Sequence, residues 1–196
     1  MSVWLVLPMK SLREGKSRLA CALDLQERHA LLERLLLRTL ERAAEFAGLQ
    51  QTLLVSACAM TRARAARLGA HVLEEAPGAG LNGALHQAQR ELRRVNATHM
   101  LVVPCDLPHL QADDLQRLAD GAGARRIGIA PDELKQGTNG LCLDASMEFA
   151  FSFGPHSYAR HVEHIRRAGL QHVSIETPGL GFDLDLPQQL ERVAWG

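Results

Sequence analysis

The sequence predicts an α/β domain built as a three-layer sandwich around a mostly parallel central sheet. Three observations carry that prediction. Four apolar runs, at residues 3–7, 52–55, 100–103 and 127–130, are nearly continuous rather than alternating, as in strands covered on both faces. Helical periodicity fills the intervals between them. The two signals alternate with no repeat, low-complexity tract or linker to divide the chain, so residues 1–196 read as one domain.

The elements follow in order. The strand at 3–7 leads into a basic loop. A long helix is expected at 26–47, where Leu32, Leu35, Leu36, Thr39, Leu40, Ala43 and Phe46 recur at helical spacing and Gly48 ends the pattern. The strand at 52–55 precedes a helix at 61–68 and a weaker strand at 71–73. A helix at 82–95 takes Asn82 as its N-cap, and the strand at 100–103 precedes a helix at 112–120. After the strand at 127–130, weak or edge strands are expected at 140–143 and 172–175. They flank a helix at 157–168 capped by Ser157. The last helix, at 187–193, opens on Pro187 behind Asp185.

Composition narrows the function. Lys plus Arg and Asp plus Glu both number 22, so the chain lacks the basic excess of a nucleic-acid binder. A hydrophobic share of 46% is that of a globular protein, yet the apolar runs are far shorter than the ~20 residues of a membrane span. The stretch from Val3 to Pro8 meets Lys10 with no basic segment before it, unlike a signal peptide, and a cytoplasmic location is expected. Cys21, Cys58, Cys105 and Cys142 are evenly spread without a CxxC pair, which suits buried free thiols.

Ligands of open α/β sheets sit beyond the carboxyl ends of the strands, so the loops there hold the candidate residues. The first runs from Leu7 to Leu19 and concentrates two of the three lysines, Lys10 and Lys16, with Ser17 and Arg18. Its Gly15-Lys16-Ser17 is not a P-loop, because Lys10 stands where the first glycine is required. A basic loop so placed suits triphosphate oxygens, with lysine as a point charge and Arg18 as a fork. The second loop, from Glu75 to Gly83, lets backbone amides near Gly80 approach a ligand, and Asn82 can read a base edge or cap the helix. In the third, Asp106 follows a buried strand and either caps the Pro108 turn or offers oxygen to magnesium. In the fourth, Asp183 and Asp185 stand two apart, on one face of a regular strand, and could join Asp106 around metal; Asp185 could also cap the last helix. The fifth region comprises residues 137–140, with Thr138, and residues 153–157, with Gly154 and Ser157. Both are glycine-and-hydroxyl turns suited to a small anion. His161, one helical turn past Ser157, suits a phosphate or carboxylate contact better than zinc, since neither cysteine nor HExxH accompanies it.

Six motifs in order, LPMKSLREGKSRLA, PGAGLN, CDLP, GTNGL, FGPHSYARH and FDLDLPQQL, span nearly the whole chain. This set resembles the phospholactate guanylyltransferase family of coenzyme F-420 biosynthesis. The resemblance implies a nucleotidyltransferase fold, Rossmann-like and related to glycosyltransferase A folds. It implies that Thr138, Gly154 and Ser157 hold a phosphorylated three-carbon acid, and that Asp106, Asp183 and Asp185 are magnesium-site acids. Lys10, Lys16 and Arg18 match the family's triphosphate loop, with Ser17 beside them, and Asn82 its guanine side, with Gly80. Two departures stand out: Cys105 where many relatives carry alanine, and Leu186 in place of the usual threonine.

The implied partners are GTP and 2-phospho-L-lactate, phosphoenolpyruvate or 3-phospho-D-glycerate, with a homodimer as the family-level expectation. The implied reaction is attack of the acceptor phosphate on the α-phosphorus of GTP. A phosphate monoester is already anionic at neutral pH, so the task is electrostatic and needs no general base. Lys16, Arg18 and Asp106 are the residues expected to carry it. Another nucleotidyltransferase or a sugar-nucleotide glycosyltransferase on the same fold, and a non-catalytic GTP-binding module, are the alternatives.

Overall fold

The computed structural model describes residues 2–11 and 16–193. The middle of the basic loop, including Arg13 and Gly15, lies outside the described residues. The strands are β1 (Val3–Pro8), β2 (Thr52–Ser56), β3 (His71–Glu74), β4 (His99–Val102), β5 (Arg126–Pro131), β6 (Thr138–Asp144) and β7 (Gln171–Ser174). The helices are α1 (Leu25–Phe46), α2 (Ala59–Arg67), α3 (Gly80–Arg94), α4 (Ala112–Asp120), α5 (Ser157–Arg167) and the single turn α6 (Pro178–Gly181). Short 3-10 turns cover Ser17–Cys21, Leu49–Gln51 and Pro187–Arg192.

All seven strands join one sheet in the order β3-β2-β1-β4-β6-β5-β7. Every pairing is parallel except those of β6, which runs antiparallel to both β4 and β5. The strand expected to be weak or at the edge is thus interior, and buried from Thr138 to Leu143. Residues 132–137 join β5 to β6, too short a connection for a parallel crossover, which takes a dozen residues or more.

Two apolar layers enclose the sheet. On one face Leu5 and Leu7 of β1 pack with Leu36 and Leu40 of α1, Ala65 of α2, and Leu115 and Leu118 of α4. On the other, Val6 of β1 packs with Leu85 and Leu92 of α3 and Ile165 of α5. Period-2 alternation along β1 assigns its side chains to the two layers. Helix α1 begins at Asp24, whose carboxylate accepts from the Glu27 N–H while Glu27 reaches back to the Asp24 N–H. Helix α4 sits against β5 with no side chain between them: a Cβ on Gly128 would lie 2.3 Å from the Leu118 carbonyl oxygen.

Several expected boundaries shift. Asn82 lies inside α3 rather than at its cap. Ser157 is the first residue of α5, after His156 in the left-handed region at φ 56°. The last helix is a 3-10 turn, and Asp185 does not cap it; Gln189 accepts from the backbone N–H groups of both Asp185 and Leu186. The thiols are all free, but only Cys105 and Cys142 are buried, while Cys21 is exposed.

The β5–β6 pair carries one irregularity that matters. Ala130 faces Gly140, but Pro131 faces Thr138, so Asn139 is an extra residue. Such a bulge re-aims side chains at the end of a strand. Beyond it Cys142 joins the α1/α4 layer, and Leu141 and Leu143 join the α3/α5 layer. Continued alternation would point Asn139 toward α5 and Thr138 away from it. Instead Thr138 meets His161 of α5, and Asn139 meets Leu180 and Asp183 on the opposite side.

Candidate active site

A cavity of about 900 Å³ opens along the carboxyl ends of β1, β3 and β4 and the mouth of the β5–β6 hairpin. All five candidate loops contribute to its walls. Lys10, Lys16, Ser17 and Arg18 come from the loop after β1, and Glu75, Gly80 and Leu81 from the loop after β3. Asp106, Asp183 and Asp185 line it too, as do Thr138, Asn139, Gly154 and Ser157.

The carboxylates meet by backbone pairing. The Leu184 N–H donates to the Asp106 carbonyl at 3.0 Å, laying the 182–185 segment beside the turn after β4. This segment is not a regular strand, contrary to expectation. It alternates all the same: Phe182 and Leu184 pack with Leu35 of α1, and Asp183 and Asp185 face the cavity. The burial of the two apolar side chains therefore aims the two acids.

Lys16 lies at the centre. Its Nζ donates to Asp106 Oδ2 and to Asp185 Oδ1, each at 2.5 Å, and its side chain is 9% exposed. Burial acts to lower its pKa, but the two carboxylates more than offset this and hold it above the ordinary lysine value. Arg18 stands farther out, 3.7 Å from Asp185, with its side chain 72% exposed. The Asn139 amide reaches Asp183 at 3.4 Å. Burial, and then the charges of Asp106 and Asp185, push its pKa up to about 6.

These acids fit a hard divalent cation. Asp106 Oδ1 is buried without a hydrogen-bond partner among the described residues, and Asp183 is held in a place where its charge is poorly compensated. Among the described residues no three acidic, histidine or cysteine side chains are grouped as they would have to be to hold a metal ion between them. The Lys16 ammonium already spans two of the three carboxylates.

The opposite wall is organised by hydrogen bonds. Asp132 accepts from the Gln136 and Gly137 N–H groups, both at 2.8 Å, and so shapes the hairpin mouth. The Gly137 N–H is therefore taken by Asp132, not offered to an anion as its glycine turn suggested. The Tyr158 N–H donates to the Gln136 carbonyl, tying the start of α5 to the same hairpin. Gly154, at φ 124°, makes the turn that delivers Ser157 to the cavity.

Two expected contacts take another form. Asn82 does not present its amide to a base edge. Its Oδ1 accepts from the Phe153 N–H at 2.8 Å and its Nδ2 donates to the Phe153 carbonyl at 3.2 Å, clamping the 153–157 loop onto α3. His161 is fully buried behind Thr138, with both ring nitrogens engaged inside the protein. Glu75, which opens the second loop, lines the cavity beside Gly80, and nothing in its sequence context marked it out from the loop.

The family described as "Guanylyl transferase CofC like" matches residues 3–194. The chain belongs to this family. A phosphoenolpyruvate guanylyltransferase of Rubrobacter xylanophilus is 38% identical over 194 residues, covering 98% of this chain and 94% of the relative. One of Sphaerobacter thermophilus is 36% identical, covering 96% and 91%. Among solved structures, a Desulfovibrio desulfuricans protein described as a nucleotide-diphospho-sugar transferase superposes with a TM-score of 0.80 at 16% identity, covering 95% and 84%. A nucleotidyl transferase from Methanothermobacter gives 0.70 at 12%, covering 98% and 95%. The sheet and its helices are thus the nucleotidyltransferase fold, and this member of the CofC-like family is a nucleotidyltransferase of the guanylyltransferase kind.

Proposed function

We propose that the protein transfers GMP from GTP to the phosphate of phosphoenolpyruvate, or of the closely similar 2-phospho-L-lactate or 3-phospho-D-glycerate, and releases pyrophosphate. The observation that carries this reading is that one cavity is lined by the cations of the loop after β1, by three carboxylates and by the hydroxyls of Thr138 and Ser157, with Asp106 and Asp185 in contact with Lys16 and Asp183 in contact with Asn139 next to Thr138. The names of the relatives favour phosphoenolpyruvate.

In this reading Lys10, Ser17 and Arg18 engage the triphosphate from the exposed side, and Gly80 borders the nucleoside. Glu75 is suited to the guanine edge, whose adjacent N1–H and N2–H groups are both donors that a carboxylate can accept. Thr138 and Ser157 donate to the anionic groups of the acid, and Gly154 shapes its pocket. Asp106, Asp183 and Asp185 would hold magnesium, which as a Lewis acid supplies charge to the transferring phosphoryl group and the leaving pyrophosphate. Lys16, fixed between Asp106 and Asp185, keeps a positive charge where two anionic reactants must approach. The acceptor phosphate, with a second pKa of roughly 6, arrives already ionised, so no residue need take a proton. Placement in coenzyme F-420 biosynthesis, in the cytoplasm, follows from the same reading.

Incubation with GTP, magnesium and each of the three acids in turn, scored by pyrophosphate release, tests it. The expected result is pyrophosphate formed in step with one acid, and fastest with phosphoenolpyruvate. Release of GDP instead would mean that the bond to the γ-phosphorus is the one broken, as in phosphoryl transfer or hydrolysis, and GTP binding without turnover would point to a sensor; either refutes the reading.

A further inference from the structure

His161 projects from α5 into the protein interior, where its exposure is 0%. The Ser152 backbone N–H donates to its Nε2 at 2.9 Å. A backbone N–H can only donate, so Nε2 carries a lone pair, and the proton of the neutral ring resides on Nδ1. Nδ1 lies 3.0 Å from Thr138 Oγ1, so the ring donates and the hydroxyl oxygen accepts. Phe153, edge-on at 4.9 Å, and Phe149, at 5.7 Å, enclose the ring. Burial, then the nearby charges of His164 and Arg160, push its pKa down to about 4, so the ring stays neutral near pH 7.

A threonine hydroxyl can donate or accept, and an anion needs only the donor. With its oxygen engaged by His161, the Thr138 hydroxyl has its proton left to give, and Thr138 lines the cavity. The Thr138 hydroxyl has no other hydrogen bond among the described residues. We propose that His161 is a positioning residue that fixes the Thr138 hydroxyl as a donor aimed at the anionic acceptor substrate. It touches no reactant. Its effect is to settle the orientation of the hydroxyl before the acid arrives, so that binding does not have to. The wet end of this relay is Thr138, and the inference rests on the reading that the acid binds there.

Imidazole replacements separate the two ring nitrogens. The amide nitrogen of His161→Asn can occupy the place of Nδ1 and keep the donor to Thr138. His161→Gln places its amide near Nε2 and loses that donor. The expected result is a KM for phosphoenolpyruvate raised about tenfold in His161→Gln and within about threefold of the parent in His161→Asn. The KM for GTP should be unchanged in both. Thr138→Val should match His161→Gln, and the double variant should be no worse than Thr138→Val alone, because one relay is being cut twice. In the unmodified protein, nitrogen-15 resonances should show the Nδ1–H tautomer, with Nδ1 shifting on addition of phosphoenolpyruvate and not of GTP. An Nε2–H or doubly protonated ring at pH 7 overturns the proposal even if a variant does not fold. Equal KM effects in the Asn and Gln variants also overturn it. A Thr138→Val variant with unaltered KM for the acid would instead overturn the placement of the acid, which is a different failure.

Discussion

The two walls of the cavity are built in opposite ways. Around the β5–β6 hairpin and the start of α5, Thr138, Ser157 and His161 are buried, and the surrounding loops are fixed by backbone N–H groups donating to Asp132 and Asn82 and by the contact of His161 with Thr138. In the loop after β1, Lys10, Ser17 and Arg18 are exposed surface groups. Lys16 belongs to that basic loop by sequence and to the carboxylates by contact. Small acids that differ by little more than a hydroxyl are told apart by shape, which takes fixed donors. A triphosphate is attracted by its charge over a distance, and exposed cations suffice for that. In the proposed function one wall recognises the acid and the other recruits the nucleotide.

The sharpest way to break this comparison is at the acids between the walls, which should serve both. Asp106→Asn should lower turnover at least ~100-fold, equivalent to about 3 kcal/mol of barrier, with the melting temperature nearly unchanged. Steady-state rates across a magnesium series check it, and recovery at high magnesium would remove Asp106 from the shared centre.

Lys16→Met should raise the KM for GTP and slow transfer tens-fold while leaving phosphoenolpyruvate binding intact. It also leaves Asp106 and Asp185 facing one another without their counter-ion. The substrate-free variant should then lose about 1–3 kcal/mol of stability. Melting with and without magnesium reads this directly: the ion should stabilise the variant more than the parent.

Ser157→Ala probes the fixed wall alone. A hydroxyl bond to a charged group contributes about 1.5 kcal/mol or more, so the KM for the acid should rise about tenfold and that for GTP should stay put. Ser157 is the first residue of α5 rather than its cap, so the melting temperature should hardly move. A lowered melting temperature with an unchanged acid KM would show the hydroxyl to be structural.

The smallest effect concerns Asp183. Its folded pKa, pushed up to about 6, exceeds the unfolded carboxylate value of roughly 3.9. Between those pH values the folded chain holds a proton that the unfolded chain has lost. The stability associated with this group is complete below about pH 4, falls as pH rises through 6, and is absent above. Asp183→Asn should flatten that slope and raise stability at pH 7 by on the order of 1 kcal/mol, the open cavity screening the rest. Urea titrations at pH 4.5 and 7 distinguish the outcomes, and a variant less stable than the parent at pH 7 would contradict the electrostatic reading of Asp183.

How much of this was legible in the sequence depended on the range of the interaction. Each of the seven strands announced itself through a local apolar run, and five of the helices through local periodicity. The direction of β6 did not, because its apolar run reads alike in either orientation. The signal that could have supplied it was the six-residue connection at 132–137, which permits only a hairpin. The Asp183/Asp185 alternation was visible, though what enforces it is packing of Phe182 and Leu184 rather than sheet pairing. The partners of Lys16 lie 90 and 169 residues away, and no local pattern encodes such contacts. Asn82 and His161 carried the right residue types for ligands, but their polar atoms are spent on the backbone of Phe153 and on Thr138. Residue type suggested what they could bind, and only tertiary packing decided what they do bind.

The extra residue in β6 has a consequence for how such a site can change over time. A slip of register along a whole strand turns every side chain to the wrong face. Here the insertion is confined to the strand's first residues, so Gly140 through Asp144 keep their partners while Thr138 and Asn139 exchange destinations. Two consecutive residues thereby serve two addresses, one at His161 and one beside the Asp183 carboxylate. In the proposed function, the spacing between two reaction partners is written into a single peptide link. A descendant that loses that one residue has to surrender one address, whereas substitutions at either position can retune one partner and leave the other alone.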